Sequence, residues 1–299
     1  MKVAVLMSTY NGAAFLKQQI ESILAQQGDF SLDLWVRDDG SSDLTQNILQ
    51  EYADQDKLRW YTGENRKPAH SFFDLILHCP GYDYYAFADQ DDLWLPDKLQ
   101  RGISALQETC EPTLFVANAT LVDGNLESLG RNVYTRTPRL DFYTLSCAGG
   151  LLGCTMVWNR PLAELLQSQP MPGPIVMHDF YVALVCLLAG GKILYDAESR
   201  MLYRQHGNNV VGAAHNKLSA IKNRIRTITQ RRPVTVGQQA HTLLSQYSHL
   251  GTTEQHLWLK KLSDPRFFAR IGIACSKKTC YISANKSLTL RLAILFGNR

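Results

Sequence analysis

Residues 87–92 read Phe87-Ala88-Asp89-Gln90-Asp91-Asp92, directly after an apolar, aromatic run. Three carboxylates fall in four positions at the tip of what reads as a buried strand. Like charges this close raise one another's pKa unless a cation neutralises them. A hard divalent ion takes oxygen ligands and keeps open positions for substrate phosphates. The cluster therefore points to a metal-held diphosphate, and so to an enzyme that uses a nucleotide-activated substrate. A plainer reading is a solvated turn that caps the next helix. Asp92 suits that job, because Leu93-Trp94-Leu95-Pro96-Asp97-Lys98 follows as a helix entry.

The elements that must position this cluster alternate. Val3-Ala4-Val5-Leu6-Met7 is a short apolar run, as expected of a buried parallel strand. Ser8-Thr9-Tyr10-Asn11-Gly12 is turn chemistry, and 14–27 carries an apolar stripe of helical spacing with Gly28 behind it. Strands are expected at 32–37, 58–61 and 84–88, and helices at 44–54 and 71–78. This order predicts an α/β fold with a mixed, mainly parallel sheet and helices on both faces. Ligands of such sheets sit beyond the carboxyl ends of the strands. Thr9 and Asn11, Asp38 and Asp39, and Asp89 and Asp91 all fall at such ends. Taken alone, Asp38-Asp39-Gly40 would read as a turn with an N-cap.

Composition bounds the rest. The chain has 299 residues and a net charge of +4. No window supplies the ~20 consecutive apolar residues that a membrane span needs. The N-terminus lacks the apolar core and cleavage site of a signal peptide. The seven cysteines are scattered without CxxC spacing, which fits reduced cytoplasmic thiols and not a disulfide frame or a zinc site. Residues 215–299 hold 15 Lys and Arg against 2 acids, Glu254 and Asp264, a net of +13. Residues 1–214 hold 16 bases against 25 acids, a net of −9. A boundary is expected there, between a domain at 1–214 and a basic helical region at 215–299, with helices at 217–231, 235–262 and 264–295. Such a region attracts an anionic membrane surface. It equally suits helices that pack on the first domain or make a homodimer. No aromatics interleave with the bases, so nucleic acid is not an expected partner.

Ser8-Thr9-Tyr10-Asn11-Gly12, Asp38-Asp39-Gly40-Ser41-Ser42-Asp43 and Asp89-Gln90-Asp91-Asp92, in that order and spacing, resemble glycosyltransferase family 2, whose members have the GT-A fold. The resemblance covers roughly residues 1–212. It implies transfer of a sugar from a nucleotide-sugar donor, with Mg2+ or Mn2+ and inversion at the anomeric carbon. It puts Thr9, Tyr10, Asn11, Asp38, Asp39, Asn65 and Asp89 around the nucleotide. Asp91 would hold the metal, with Asp89 and His206. One motif departs from the family pattern: Lys67 and Ser71 replace the Gly and Asn expected in the stretch from Asn65 to Phe72.

An acceptor hydroxyl must also lose a proton, and a carboxylate within reach can take it. Met177-His178-Asp179-Phe180 resembles the family's base motif, which implies Asp179 as base; an N-cap role is the simpler alternative. Gly149, Gly150, His178 and Trp94 are expected on the acceptor side. Tyr203-Arg204-Gln205-His206-Gly207-Asn208 resembles the loop that closes over the diphosphate in the rhamnosyltransferase-like branch. That implies Arg204 and His206 as diphosphate ligands. The whole pattern looks most like enzymes that use dTDP-L-rhamnose to build bacterial surface polysaccharide on a saccharide or lipid-diphosphate-linked acceptor at the cytoplasmic face. A UDP-hexose or UDP-N-acetylhexosamine donor is the alternative. From other classes, a metal-dependent phosphoesterase and a non-catalytic nucleotide-sugar binder remain open.

Overall fold

The computed structural model describes residues 1–206, 232–279 and 284–296. The expected helix at 217–231 lies outside them. The described chain forms two compact units. The first is Met1–Thr137, Leu151–Met171 and Gly191–His206. The second takes Pro138–Gly150, Pro172–Gly190 and the C-terminal region. A single cut at 214 therefore does not describe the molecule. Two segments from within the first 214 residues belong to the helical unit, because their apolar faces pack on C-terminal helices.

The first unit is a nine-stranded sheet. Its strands are β1 (Lys2–Thr9), β2 (Ser31–Asp38), β3 (Arg59–Thr62), β4 (Tyr84–Asp89), β5 (Leu93–Trp94), β6 (Thr113–Val122), β7 (Ser128–Asn132), β8 (Met156–Asn159) and β9 (Lys192–Arg204). The order is β3-β2-β1-β4-β8-β6-β9-β5, with β7 on β6. The β3-β2-β1-β4 half is parallel throughout. Beyond it, β8 runs antiparallel to both β4 and β6, and β9 is parallel to β6. Val3 to Met7 are fully buried, as are Ala86 to Ala88. This is why β1 and β4 read as unbroken apolar runs.

Five α-helices belong to the first unit, α1 (Ala13–Leu24), α2 (Thr45–Ala53), α3 (Lys67–His78), α4 (Lys98–Leu106) and α6 (Arg160–Gln167), while α5 (Phe142–Ala148) belongs to the second. Helices α3 and α6 pack on each other and on β1, β2, β4 and β8, while α1 and α4 cover β5, β6 and β8.

The second unit combines α5 with α7 (His178–Leu188), α8 (Val236–Gln246), α9 (Thr253–Ser263), α10 (Phe267–Ala274) and α11 (Ala284–Leu295). Buried polar ties hold it. Trp258 Nε1 donates to Ser146 Oγ at 2.8 Å, and Val176 N to Gln239 Oε1 at 2.8 Å. The expected helix at 235–262 is two helices. Gly251 takes φ +85°, and Thr252 opens a new capping box with Gln255, so the chain turns between them. The expected 264–295 helix divides likewise into α10 and α11. Among the described residues, no helix is long and apolar enough to cross a membrane. None of the six described cysteines is in a disulfide.

Candidate donor site

Three loops leave the carboxyl ends of β1, β2 and β4, and side chains lock them together. Asn11 sits at φ +49°, a left-handed position that Asn tolerates better than most residues. Its Oδ1 accepts from Ser42 N at 2.9 Å, and its own N–H donates to Ser41 Oγ at 2.9 Å. Gly12 N donates to Thr45 Oγ1 at 2.9 Å. The β1 and β2 loops are thereby joined. Gln90 joins β4 to them: its Oε1 accepts from Tyr10 N at 2.9 Å and its Nε2 donates to Tyr10 O at 3.2 Å. Tyr10 itself is half exposed.

Asp38 is fully buried, and its carboxylate accepts from Ser41 N at 2.9 Å, Gly40 N at 3.2 Å, Gln46 Nε2 at 2.8 Å and Thr9 Oγ1 at 3.2 Å. So many donors make Asp38 the organiser of its loop. Asp39 is also buried and pairs with the Arg37 guanidinium. Arg37 further donates to Asp74 Oδ2 at 3.0 Å, Ser71 Oγ at 3.2 Å and Glu64 O at 3.0 Å. Asp74 in turn accepts from Arg66 and Tyr61, each at 2.8 Å. A buried Arg is tolerable only when paired and fully hydrogen-bonded, and this network supplies both. Gly63 makes room for it, since a Cβ there would lie 2.7 Å from an Arg37 terminal nitrogen.

Asn65 accepts from Lys67 N at 3.2 Å in the turn that starts α3. Lys67 holds φ +61°. The backbone thus keeps the left-handed turn that a glycine would take without strain, although the side chain is lysine.

The acidic cluster divides by burial. Asp91 Oδ2 and His206 Nε2 stand 2.7 Å apart, both about four-fifths buried. Asp89 ends β4, half buried. Its carboxylate lies within 4.8 Å of ligand atoms of Asp92 and Cys154. Asp92 is fully buried, and burial first, then Asp89 and Asp91, hold its carboxyl well above the usual range. Burial and Asp92 likewise push the Cys154 thiol up. Asp92 and Cys154 lie buried beneath Asp89, within the same 4.8 Å group. Lys98 is buried too: burial lowers it to about 8, against the pull of Cys154, Asp92 and Asp89, and its ammonium lies 3.7 Å from the centroid of Trp94.

A divalent ion fits beside Asp91 and His206. Six-coordinate Mg2+ holds ligands at about 2.1 Å, which puts adjacent ligand atoms roughly 3 Å apart. The observed 2.7 Å needs to open by only a few tenths of an ångström. Carboxylate oxygen and imidazole nitrogen also suit Mn2+.

Several residues expected at the site have other work. Arg204 is 1% exposed. Its guanidinium donates to Asp91 O at 2.8 Å, Gly124 O at 2.6 Å and Gln18 Oε1 at 2.8 Å, and it lies over the Phe15 ring. It fixes the Asp91 loop in place of offering a face to phosphate. Trp94, expected on the acceptor side, is 2% exposed under Lys98 and cannot line an open cleft. His178 is buried, and burial drives its pKa to about 3, which keeps it neutral. Gln90, Arg37, Gln18 and Lys98 were missed. Arg37 and Lys98 carried one signal: a charge within a stretch whose neighbours are buried.

Asp179, His178, Gly149 and Gly150 belong to the second unit. Asp179 lies in the first turn of α7, where the helix dipole favours a carboxylate, and its Oδ1 accepts from Phe180 N at 2.6 Å. Gly149 and Gly150 have φ +60° and +102°, and a Cβ on Gly149 would meet the Phe180 ring at 3.0 Å. The backbone favours glycine at both positions, and space at Gly149 is tight as well.

A sheet of this order, with polar groups at the tips of β1, β2 and β4, defines the GT-A class of nucleotide-sugar transferases. The fold is similar to that of the mannosyltransferase PcManGT from Pyrobaculum calidifontis, in complex with GDP-Man and Mn2+, with a TM-score of 0.55 at 17% identity, over 98% of this chain and 73% of that one. The sequence profile of glycosyl transferase family 2 matches residues 4–151, and the chain belongs to that family. The dTDP-rhamnosyl transferase RfbG of Shigella flexneri is 28% identical over 242 residues, 73% of this chain and 80% of that protein. The UDP-Glc:alpha-D-GlcNAc-diphosphoundecaprenol beta-1,3-glucosyltransferase WfgD of Escherichia coli is 27% identical over 195 residues, 64% and 71% respectively.

Proposed function

We propose that the protein is a metal-dependent, inverting hexosyltransferase acting at the cytoplasmic face of the membrane. It moves L-rhamnose from dTDP-L-rhamnose to a hydroxyl of a growing bacterial surface polysaccharide or lipid-linked oligosaccharide. The observation that carries the reading is the Asp91–His206 contact, made by the residue next to Gln90 in three interlocked strand-end loops. The likeness to RfbG supports the donor. The likeness to WfgD supports UDP-glucose as the second reading, and also a lipid-diphosphate carrier for the acceptor.

Tyr10 and Asn11 form the exposed nucleotide side, backed by the buried Thr9 and Asp39, which Asp38 and Arg37 hold in place. Asp91 and His206, with Asp89, would hold the ion, and Arg204 fixes the loop that carries Asp91. A bound Mg2+ or Mn2+ supplies Lewis-acid stabilisation of the departing diphosphate. Asp179 takes the proton of the acceptor hydroxyl as its oxygen bonds to the anomeric carbon. The bond from that carbon to the diphosphate oxygen breaks on the opposite face, so the centre inverts. No covalent enzyme intermediate is needed.

A panel of nucleotide sugars in a thermal-shift assay, with and without Mn2+, tests this. A ligand raises apparent stability in proportion to the logarithm of its concentration over its affinity. The largest Mn2+-dependent shift is expected with dTDP-L-rhamnose. A larger shift with UDP-glucose would move the donor to the second reading, and no shift with any donor would refute both. Release of inorganic phosphate without acceptor would favour a phosphoesterase.

A further inference from the structure

The tip of the second unit carries an unusual surface. Helix α9 ends with Lys260 and Lys261 in its last turn, both exposed. The chain turns through Asp264, Pro265 and Arg266, and α10 then begins with Phe267 and Phe268, 58% and 84% exposed. One turn on, the Arg270 guanidinium donates to Pro265 O at 2.6 Å and to Leu295 O at 3.4 Å. The second bond sets the end of α11 beside the start of α10. Phe296 follows there, 65% exposed. Three phenyl groups therefore leave the same end of one helical hairpin. The hairpin's own core is already made by Ile273, Ala274, Leu290, Ala293 and Ile294, all buried. The exposed rings do not contribute to it.

Lys260, Lys261, Arg266 and Arg270 flank Phe267 and Phe268 along the chain, and the only acid from 260 to 270, Asp264, is taken up by Arg266 through contacts of 2.6–3.0 Å. Aromatic rings flanked by bases match the headgroup–acyl boundary of an anionic leaflet. We propose that Phe267, Phe268 and Phe296 insert into that boundary and seat the enzyme on anionic lipid. The inference rests on the proposed function for its purpose, access to a lipid-linked acceptor. The binding itself is measurable without any sugar.

The test is co-sedimentation of the full chain with vesicles of phosphatidylcholine alone or with phosphatidylglycerol added. Wild type binds the anionic vesicles more tightly. The double variant Phe267→Ser/Phe268→Ser loses at least about tenfold in partitioning, because burying a phenylalanine contributes at least that factor. Lys260→Gln/Lys261→Gln loses roughly twenty- to thirtyfold at low salt, from about 1 kcal/mol per charge near the surface, and loses little on neutral vesicles. Phe268→Ser alone, at the most exposed ring, serves as a second variant should the double variant unfold. Equal binding by all variants would overturn the proposal. So would a wild-type dimer in sedimentation velocity that the Phe variant converts to monomer, which would make the tip a self-association face. Vesicle binding without sugar transfer would count against the proposed function and leave this inference standing.

Discussion

Gly12→Ala probes the lock between the strand-end loops. Gly12 has φ −105°, which alanine adopts freely, so backbone strain is not the issue. Space is. A Cβ at this position would lie 2.1 Å from Oε1 and 2.4 Å from Cδ of Gln90. The obstacle is the end of a flexible side chain, so Gln90 moves away and gives up both hydrogen bonds to Tyr10. Each contributes about 1 kcal/mol, and their exposure reduces the pair to about 1–2 kcal/mol. Gln90→Ala alone removes the same two bonds at the same cost. In the double variant the clash has no partner, so its cost should match Gln90→Ala alone. The coupling energy from urea denaturation of the four proteins is therefore about 1–2 kcal/mol. Donor affinity should follow the same pattern, because Tyr10 is placed by those bonds. Additive costs, or a Gly12→Ala variant as stable as wild type, would refute the reasoning.

The remaining predictions concern charge and chemistry. Arg37→Met should destabilise by about 3–5 kcal/mol in urea denaturation, because it leaves Asp39 buried without its cation and Asp74 with only Arg66; a loss below about 1 kcal/mol would show that the network is solvated. His178 is depressed from 6.5 to about 3 by burial. The unfolded chain therefore binds this proton first as pH falls. The stability is complete above pH 6.5 and is lost as pH drops from 6.5 towards 3, by up to about 4–5 kcal/mol. His178→Leu should flatten that part of the stability–pH profile, and an unchanged slope would contradict the burial. Asp179→Asn should abolish transfer while leaving donor affinity, read by thermal shift, within about twofold; full transfer would remove Asp179 as the base.

The strands at the site were legible because a strand buried on both faces shows only one kind of side chain. Runs expected at 3–7, 32–37 and 84–88 are β1, β2 and β4 to within two residues at either end. Helix α3 starts at Lys67, four residues before its expected start. Asn65-Arg66-Lys67-Pro68 reads as turn chemistry, yet Pro68 is well suited to a first helical turn. Residue type spoke less clearly about role. Arg204, Trp94 and Asp38 have the chemistry to meet a substrate. Their partners, Gln18, Lys98 and Gln46, come from positions far away in sequence or outside any motif, and those partners decide their work. The two units were hidden for the same reason. Only tertiary packing shows that residues 138–150 and 172–190 join the C-terminal helices. The helix break at Gly251-Thr252 was readable, since Thr252 and Gln255 have capping-box spacing.

The most direct measurement is the anomalous signal of Mn2+ in a crystal grown with the donor's nucleoside diphosphate. The account predicts one peak in contact with Asp91 and His206 and with diphosphate oxygens, lost in Asp91→Ala. A peak held by Asp92 and Cys154, or diphosphate bound in full with no ion beside Asp91, would contradict it.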